Sequence, residues 1–124
     1  MGKFVISKAK NGEYTFALKA NNGQVILTPG ETFSSEDSCR NSIESVRKNS
    51  LAHVEDQTVE GYDTLTHPKF EMYQDKAGEY RFRLKARNGE NIGRSEGYKG
   101  KDSCVNGIES VGRNAGDAEI VVED

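Results

Sequence analysis

The feature that most constrains this chain is a nine-residue segment that occurs twice. Residues 12–20 read GEYTFALKA, and residues 78–86 read GEYRFRLKA. In each copy large apolar residues alternate with smaller or charged residues, which is the period-two pattern of a strand with one buried face. Turn-forming residues flank both copies, so each segment is predicted to be the central strand of a three-stranded meander.

The repetition extends well beyond this strand. A shift of 66 residues aligns residues 4–28 with residues 70–94, with identity at 12 of 25 positions. A shift of 65 aligns residues 37–49 with residues 102–114, with identity at 9 of 13. Agreement at this level indicates a tandem duplication of one supersecondary unit. We predict repeat 1 over residues 3–57, repeat 2 over residues 69–124 and a linker over residues 58–68.

A change of period predicts a helix after the third strand of each unit. Apolar residues recur at i, i+4 and i+7, which places one buried stripe on a helix of about three turns. The stripe residues are Cys39, Ile43 and Val46 in repeat 1, and Cys104, Ile108 and Val111 in repeat 2. Beside the stripe lie Ser42 and Gly107, whose small side chains would let each helix approach the sheet closely. Val54 with its neighbours, and residues 120–122, are predicted to supply a fourth strand to each unit.

The helix ends are predicted from capping residues. Ser34, Ser35 or Asp37 is expected to cap the first helix, and Asp102 the second. Asn49 and Asn114 stand where a left-handed residue commonly ends a helix.

Composition excludes several classes of protein. The net charge of −3 gives no global attraction for nucleic acid or an anionic membrane. Two cysteines are too few for a disulfide scaffold, and they lack the spacing of metal ligands. No apolar run approaches the roughly 20 residues that span a bilayer, and the first seven residues turn polar too early for a signal peptide. We therefore expect a cytoplasmic protein without a cofactor.

Two motifs, each present twice, identify a family. They are GEYxFxLKAxNGxxI and NxIESVxxN, and with them the chain resembles the YegP-like family of small bacterial and archaeal proteins. The resemblance implies an α+β fold of two tandem β3-α-β repeats. These would form a single antiparallel sheet, with two helices packed on one face and with exchanged C-terminal strands. Members with one copy are expected to dimerise, so this chain is expected to be a monomer with internal pseudo-two-fold symmetry.

The resemblance carries no established activity, so it assigns no catalytic residue, metal or cofactor. Glu44 and Glu109 match between the repeats and could form a carboxylate pair. Each also lies four residues before a basic residue, Lys48 or Arg113, which favours an ordinary ion pair on the helix surface. Cys39 and Cys104 could form a redox pair, but their place on the apolar stripes favours buried, unreactive thiols.

One group of residues points to binding. Arg81, Arg83, Lys85 and Arg87 alternate along the central strand of repeat 2, and they are predicted to share the face opposite Phe82 and its apolar neighbours. Unpaired, they could bind an anion or a nucleic-acid backbone. Paired with acids on neighbouring strands, such as Glu71 or Glu90, they would form an exposed ladder of ion pairs that contributes little individually.

The function that these observations favour is non-enzymatic. We expect a small interaction or stress-associated protein that uses an open sheet face and whose partner the sequence does not name. The alternative is weak binding of nucleic acid or another anion through the basic strand of repeat 2. An enzyme ranks third, because no known catalytic pattern is present.

Overall fold

The duplication is visible as two units with the same order of elements. The computed structural model describes residues 2–123, so Met1 and Asp124, the last residue assigned to repeat 2, lie outside the described residues. The first unit consists of β1 (Lys3–Lys8), β2 (Tyr14–Lys19), β3 (Val25–Leu27), α1 (Glu36–Asn49) and β4 (Val54–Asp56). The second consists of β5 (Lys69–Gln74), β6 (Tyr80–Lys85), β7 (Asn91–Arg94), α2 (Lys101–Asn114) and β8 (Glu119–Val122).

The last strand of each unit pairs with the first strand of the other unit. One sheet has the order β3-β2-β1-β8, and the other has the order β4-β5-β6-β7. Strand β8 runs along β1, with Phe4 opposite Ile120, and strand β4 runs along β5, with Phe70 opposite Val54. The α+β fold of two repeats with exchanged C-terminal strands is therefore confirmed.

The expectation of a single antiparallel sheet is wrong in two respects: there are two four-stranded sheets, and each is mixed because its exchanged strand runs parallel to its partner. The connection from β4 to β5, residues 57–68, is long enough to return the chain along the whole strand, as parallel neighbours require. The two four-stranded sheets meet at an antiparallel bridge between Thr28 and Arg94. Thr28 N–H donates to the Arg94 carbonyl at 3.0 Å, and Arg94 N–H donates to the Thr28 carbonyl at 2.8 Å.

The core lies between the sheet and the two helices. The predicted stripes of both helices are buried, including the thiols of Cys39 and Cys104. Burial raises the pKa of each thiol to about 11. The two halves also repeat one aromatic contact: the rings of Phe4 and Phe16 meet edge to face at 5.9 Å, and their counterparts in the second half meet at 5.8 Å. The inward strand residues are Phe4, Ile6, Phe16 and Leu18 in one half and Phe70, Met72, Phe82 and Leu84 in the other.

The helix ends differ from the predictions in two respects. Ser35 caps α1 as one of the expected residues, accepting a hydrogen bond from Ser38 N–H at 3.1 Å. Helix α2 begins after Gly100 without a side-chain cap, so the prediction for Asp102 is wrong; this residue lies in the first turn. The left-handed ends predicted at Asn49 and Asn114 are also wrong, because within residues 2–123 only glycines have positive φ. Each amide side chain instead donates to the carbonyl one turn earlier, at 2.7 Å.

The two halves differ at two contacting positions, one on the helix and one on the loop before it, and the differences compensate so that both helices lie close to the sheet. A Cβ on Gly107 would lie 2.5 Å from the hydroxyl oxygen of Tyr98, so this position has no room for a side chain. In the first half the equivalent residues are Ser42 and Phe33, where the ring lacks a hydroxyl. The stacked ring pairs are nevertheless alike: Phe16 and Phe33 lie 6.3 Å apart, and Phe82 and Tyr98 lie 6.4 Å apart.

This compensation predicts that substitutions at Gly107 and Tyr98 have non-additive effects on stability in a double-mutant cycle. Gly107→Ser is expected to destabilise the protein by about 1–3 kcal/mol, because the new side chain overpacks against the Tyr98 hydroxyl. Adding Tyr98→Phe recreates the first-half arrangement and should recover at least half of that loss. Urea unfolding measures both changes, and Ser42→Gly in the first half is the matched control without a clash. Additive losses in the double variant would contradict the compensation.

The strand exchange predicts that neither half folds alone as a monomer. A fragment of residues 1–61 retains β4 but lacks β5, the strand with which β4 pairs, and it leaves the edge of β1 without β8. We expect this fragment to be unfolded, or to dimerise by exchanging β4. Sedimentation and an amide NMR spectrum distinguish these states, and a well-dispersed monomeric spectrum would contradict the prediction.

Candidate binding surfaces on the sheet

The four predicted binding residues do not form one continuous row. Arg81, Arg83 and Lys85 lie on β6, on the outer face of the second sheet, opposite the face that buries Phe82. Arg87 lies past the end of β6, in the turn that leads to β7. There it helps to line a cavity of about 560 Å³ beside the end of helix α1, together with Lys48 and Asn49 among others.

Two of the four cations are neutralised by acids. Arg81 Nε lies 2.6 Å from Asp75 Oδ2, and Arg83 Nε lies 2.5 Å from Glu71 Oε1. The Arg83 guanidinium also lies over the ring of Tyr73, 4.4 Å from its centroid. Glu71 is thus one of the acids expected to neutralise the row, whereas Glu90 makes no ion pair within residues 2–123.

The other two cations have no acidic partner in the described part of the chain. Neither Lys85 nor Arg87 lies within ion-pair distance of a carboxylate there. Lys85 is half-buried and Arg87 is exposed, so their charges remain available to solvent.

Arg83 belongs to a chain of alternating charges that crosses the second sheet from β4 to β6. Lys69 Nζ lies 2.7 Å from Glu55 Oε1 and 3.1 Å from Glu71 Oε2, and Glu71 in turn contacts Arg83. Glu55 is 2% exposed and Lys69 is 4% exposed, although both side chains point away from the helix-covered core. We refer to Glu55, Lys69, Glu71 and Arg83 as the charge ladder.

The linker covers part of this ladder. From the linker, Leu65 N–H donates to Glu55 Oε1 at 2.7 Å; from the end of repeat 1, Gln57 Nε2 donates to Glu55 Oε2 at 2.6 Å. The connection between two parallel neighbours must run back along the strands, and the helices occupy the inner face. The linker therefore lies against the outer face, and the expectation of an open sheet face fails for this part of the second sheet.

The burial of Glu55 and Lys69 was not predicted from the sequence. The available signal was the alternation in residues 69–72, where Lys69 and Glu71 alternate with Phe70 and Met72. That pattern places two opposite charges on one face, but it does not show that a distant linker closes over them.

Burial and pairing act in opposite directions on the ladder's pKa values. Burial by itself raises the pKa of Glu55, but hydrogen bonds from Lys69 above all, and from two further donors, hold this pKa at about 2. In the same way, hydrogen bonding outweighs burial at Glu71 and at Lys69, so the pKa of Glu71 is lowered and that of Lys69 is raised.

The first sheet carries a different surface at the same positions. Its outer face presents Val121, Val5 and Ala17 in one row, in register across β8, β1 and β2. The equivalent row of the second sheet is Glu55, Glu71 and Arg83. Val5 is buried, with 9% of its surface exposed, and it lies between Ala17 and Val121, which are half-exposed. We refer to Val5, Ala17 and Val121 as the apolar row; Lys3 and Lys19 flank it on one side, and Ser7 and Thr15 on the other.

The described residues contain neither a cluster of metal-ligating side chains nor a membrane-spanning helix. Within residues 2–123 no three His, Cys, Asp or Glu side chains are grouped closely enough to hold a metal ion. No helix in this range has the length and apolar character needed to cross a membrane.

The charge ladder predicts a pH dependence of stability. The pKa of Glu55 in the folded state, about 2, is below its ordinary value of 4.5. Its charged form therefore stabilises the fold by an amount on the order of 3 kcal/mol above about pH 5. That contribution is lost as pH falls from 5 towards 2.

Urea unfolding between pH 7 and pH 3 tests this dependence. Glu55→Gln should be less stable at pH 7 and should lose less stability on acidification than the native chain. Glu90→Gln, at an exposed glutamate outside the ladder, is the matched control and should follow the native profile. An unchanged pH slope in Glu55→Gln would contradict the assignment.

Comparisons with known proteins agree with this architecture. The model of a family described as "Domain of unknown function (DUF1508)" matches residues 9–56 and again residues 75–121. The chain is 40% identical over 114 residues to the UPF0339 protein YegP of Yersinia pestis, covering 92% of this chain and 88% of that protein. A UPF0339 protein of Mannheimia succiniciproducens is 40% identical over 124 residues, covering 100% and 95% of the two chains.

A shorter relative corresponds to a single unit. A UPF0339 protein of Agrobacterium fabrum is 62% identical over 53 residues, which are 43% of this chain but 86% of that protein.

The solution NMR structure of YegP from E. coli, described as a protein of unknown function, matches with a TM-score of 0.79 and 33% identity. That match covers 98% of this chain and 92% of the E. coli protein. The chain therefore belongs to the DUF1508 family of YegP-like UPF0339 proteins, and it contains two copies of the family's domain.

Proposed function

We propose that this protein is a non-enzymatic interaction module that binds a partner protein through the outer face of its first sheet. The observation that carries the proposal is the difference between two equivalent rows. In the second sheet the row is charged, internally paired and partly covered by the linker. In the first sheet the same positions form the apolar row of Val5, Ala17 and Val121, which has no charges of its own.

The surroundings of the apolar row indicate the chemistry of the partner. Lys3 and Lys19 lie opposite each other next to it, and neither makes an ion pair with any residue in the range 2–123. An apolar centre beside unpaired cations complements a partner surface that combines aliphatic and acidic side chains. The proposal takes the protein to be a cytoplasmic monomer with units at residues 3–57 and 69–124 joined by residues 58–68.

A photo-crosslinking experiment followed by affinity measurement tests the proposal. A benzophenone amino acid at position 17 should crosslink a partner in cells, and that partner is then purified. Calorimetry should show that Ala17→Glu weakens its binding at least about tenfold, because a charge enters the centre of the interface. Lys85→Glu is the control, since Lys85 occupies the position on the second sheet that Lys19 occupies on the first. A partner whose affinity falls with Lys85→Glu and not with Ala17→Glu would contradict the proposal.

A second proposal is weak anion binding by the two unpaired cations of repeat 2. It is supported by the absence of acidic partners for Lys85 and Arg87 within residues 2–123. Two such contacts to single-stranded DNA predict a slope of about −1.4 for log K against log salt. The double variant Lys85→Gln/Arg87→Gln should lose this binding, and Arg81→Gln, which removes a paired cation, should retain it. Absence of binding to DNA at low salt would contradict this proposal.

A further inference from the structure

An arginine fills the space between helix and exchanged strand in the first half of the molecule. Arg47 Nη1 donates to the carbonyl of Gly116 at 3.0 Å, and its Nη2 donates to the carbonyl of Ala118 at 2.7 Å. Its guanidinium carbon lies 5.4 Å from the centroid of the Phe4 ring. Its Nε lies 3.2 Å from Glu44 Oε2, an ion pair without the geometry of a hydrogen bond. Arg47 thereby ties α1 to the segment that leads into β8.

The second half contains the same surroundings without the arginine. Gly112 occupies the helix position equivalent to Arg47, so no side chain extends from it. The other components remain: Phe70 corresponds to Phe4, Glu109 corresponds to Glu44, and the carbonyls of Ser50 and Ala52 correspond to those of Gly116 and Ala118. The site is thus conserved by the internal duplication except for its cation.

The groups that would contact a guanidinium are unpaired in the second half. Within residues 2–123 Glu109 makes no ion pair, whereas Glu44 contacts Arg47. The carbonyls of Ser50 and Ala52 accept no hydrogen bond from this part of the chain. The Ser50 carbonyl oxygen lies only 3.3 Å from the place where a Cβ on Gly112 would stand, so it faces the vacated position.

The vacated position lies in an open groove of about 460 Å³. Phe70 and Ile108 line its buried part, and Glu109, Gly112 and Arg113 line its helix side. Leu51 is 83% exposed and Val54 is 41% exposed, and both also line the groove. Isolated exposed apolar residues are ordinary, but here two of them border a set of unpaired acceptors. Apolar groups beside acceptors suit a side chain with an aliphatic stem and a charged end.

We propose that this groove binds the guanidinium of an arginine side chain presented by an exposed segment of a partner protein. The two carbonyls accept from the terminal nitrogens, Glu109 supplies the countercharge, and the ring of Phe70 lies beneath the guanidinium plane. Leu51 and Val54 contact the methylene stem. This site lies on the helix-covered side of the second sheet, away from the outer face of the first sheet. It is therefore separate from the proposed function, and the two proposals are tested independently.

Arginine fits this arrangement better than lysine. The planar guanidinium can donate to two carbonyls and a carboxylate at once while its face lies on an aromatic ring, and an ammonium group cannot reproduce that geometry. The first half shows that the fold provides these contacts, because Arg47 makes them there.

Peptide titration monitored by amide NMR tests the proposal. The probe is the acetylated and amidated tripeptide Gly-Arg-Gly, and we expect saturable shifts at Gly112, Leu51 and Ala52. The same tripeptide with lysine or with the neutral isostere citrulline should bind about tenfold more weakly, as should the arginine peptide to Glu109→Gln. Equal binding of the lysine and arginine peptides, or no shifts at these residues with tens of millimolar peptide, would overturn the proposal.

Two matched variants use the internal symmetry. Gly112→Arg should occupy the groove from within, abolish binding of the peptide and raise the midpoint of thermal unfolding. The contacts at Gly112 allow this change, because the side-chain atom nearest to a new Cβ, at 3.1 Å, belongs to the exposed Leu51. Arg47→Gly should open the first-half groove and create a second binding site. If Arg47→Gly does not fold, the Gly112→Arg variant still tests the proposal. Undiminished peptide binding by Gly112→Arg would overturn it.

Discussion

The pairing of each exchanged strand with the other unit is the constraint on which the rest of the structure depends. Strand β8 continues the first sheet beside β1, and β4 continues the second sheet beside β5. Without this exchange each unit would expose the backbone groups of its first strand, and an exposed edge invites pairing with another chain. A unit of about 55 residues is also marginal alone, since a domain of that size buries only about 60% of its unfolded surface.

The exchange also explains why the two outer faces differ. Because β4 and β5 are parallel neighbours, residues 57–68 must return the chain along the strands on the side that the helices leave free. Side chains beneath this connection are shielded from solvent, and Glu55 and Lys69 are almost fully buried as a result. Charges can remain there only because each carboxylate and each amine finds partners of opposite sign.

Comparison of the two repeats shows which surface residues the fold does not require. Val121, Val5 and Ala17 occupy the positions of Glu55, Glu71 and Arg83, so the backbone accepts an apolar row where the other half has a charge ladder. The ladder is therefore a feature of the second half and its linker, not a condition of the fold. At the contact between helix and sheet, by contrast, the two halves differ in a compensating way, because Gly107 and Tyr98 stand where the first half has a serine and a phenylalanine.

The sequence alone determined the repeat, the order of elements and the residues that face the core. These follow from local periodicity: alternate residues of a strand share a face, as Tyr80, Phe82 and Leu84 do, and residues four apart on a helix share a stripe. The family motifs added the exchange of strands. Tertiary structure alone decided which charges are paired, since Arg81 and Arg83 meet acids that lie 6 and 12 residues away along the chain. It also decided that Glu55 is buried and that Gly112 leaves a groove, because both depend on segments that only the folded chain brings together.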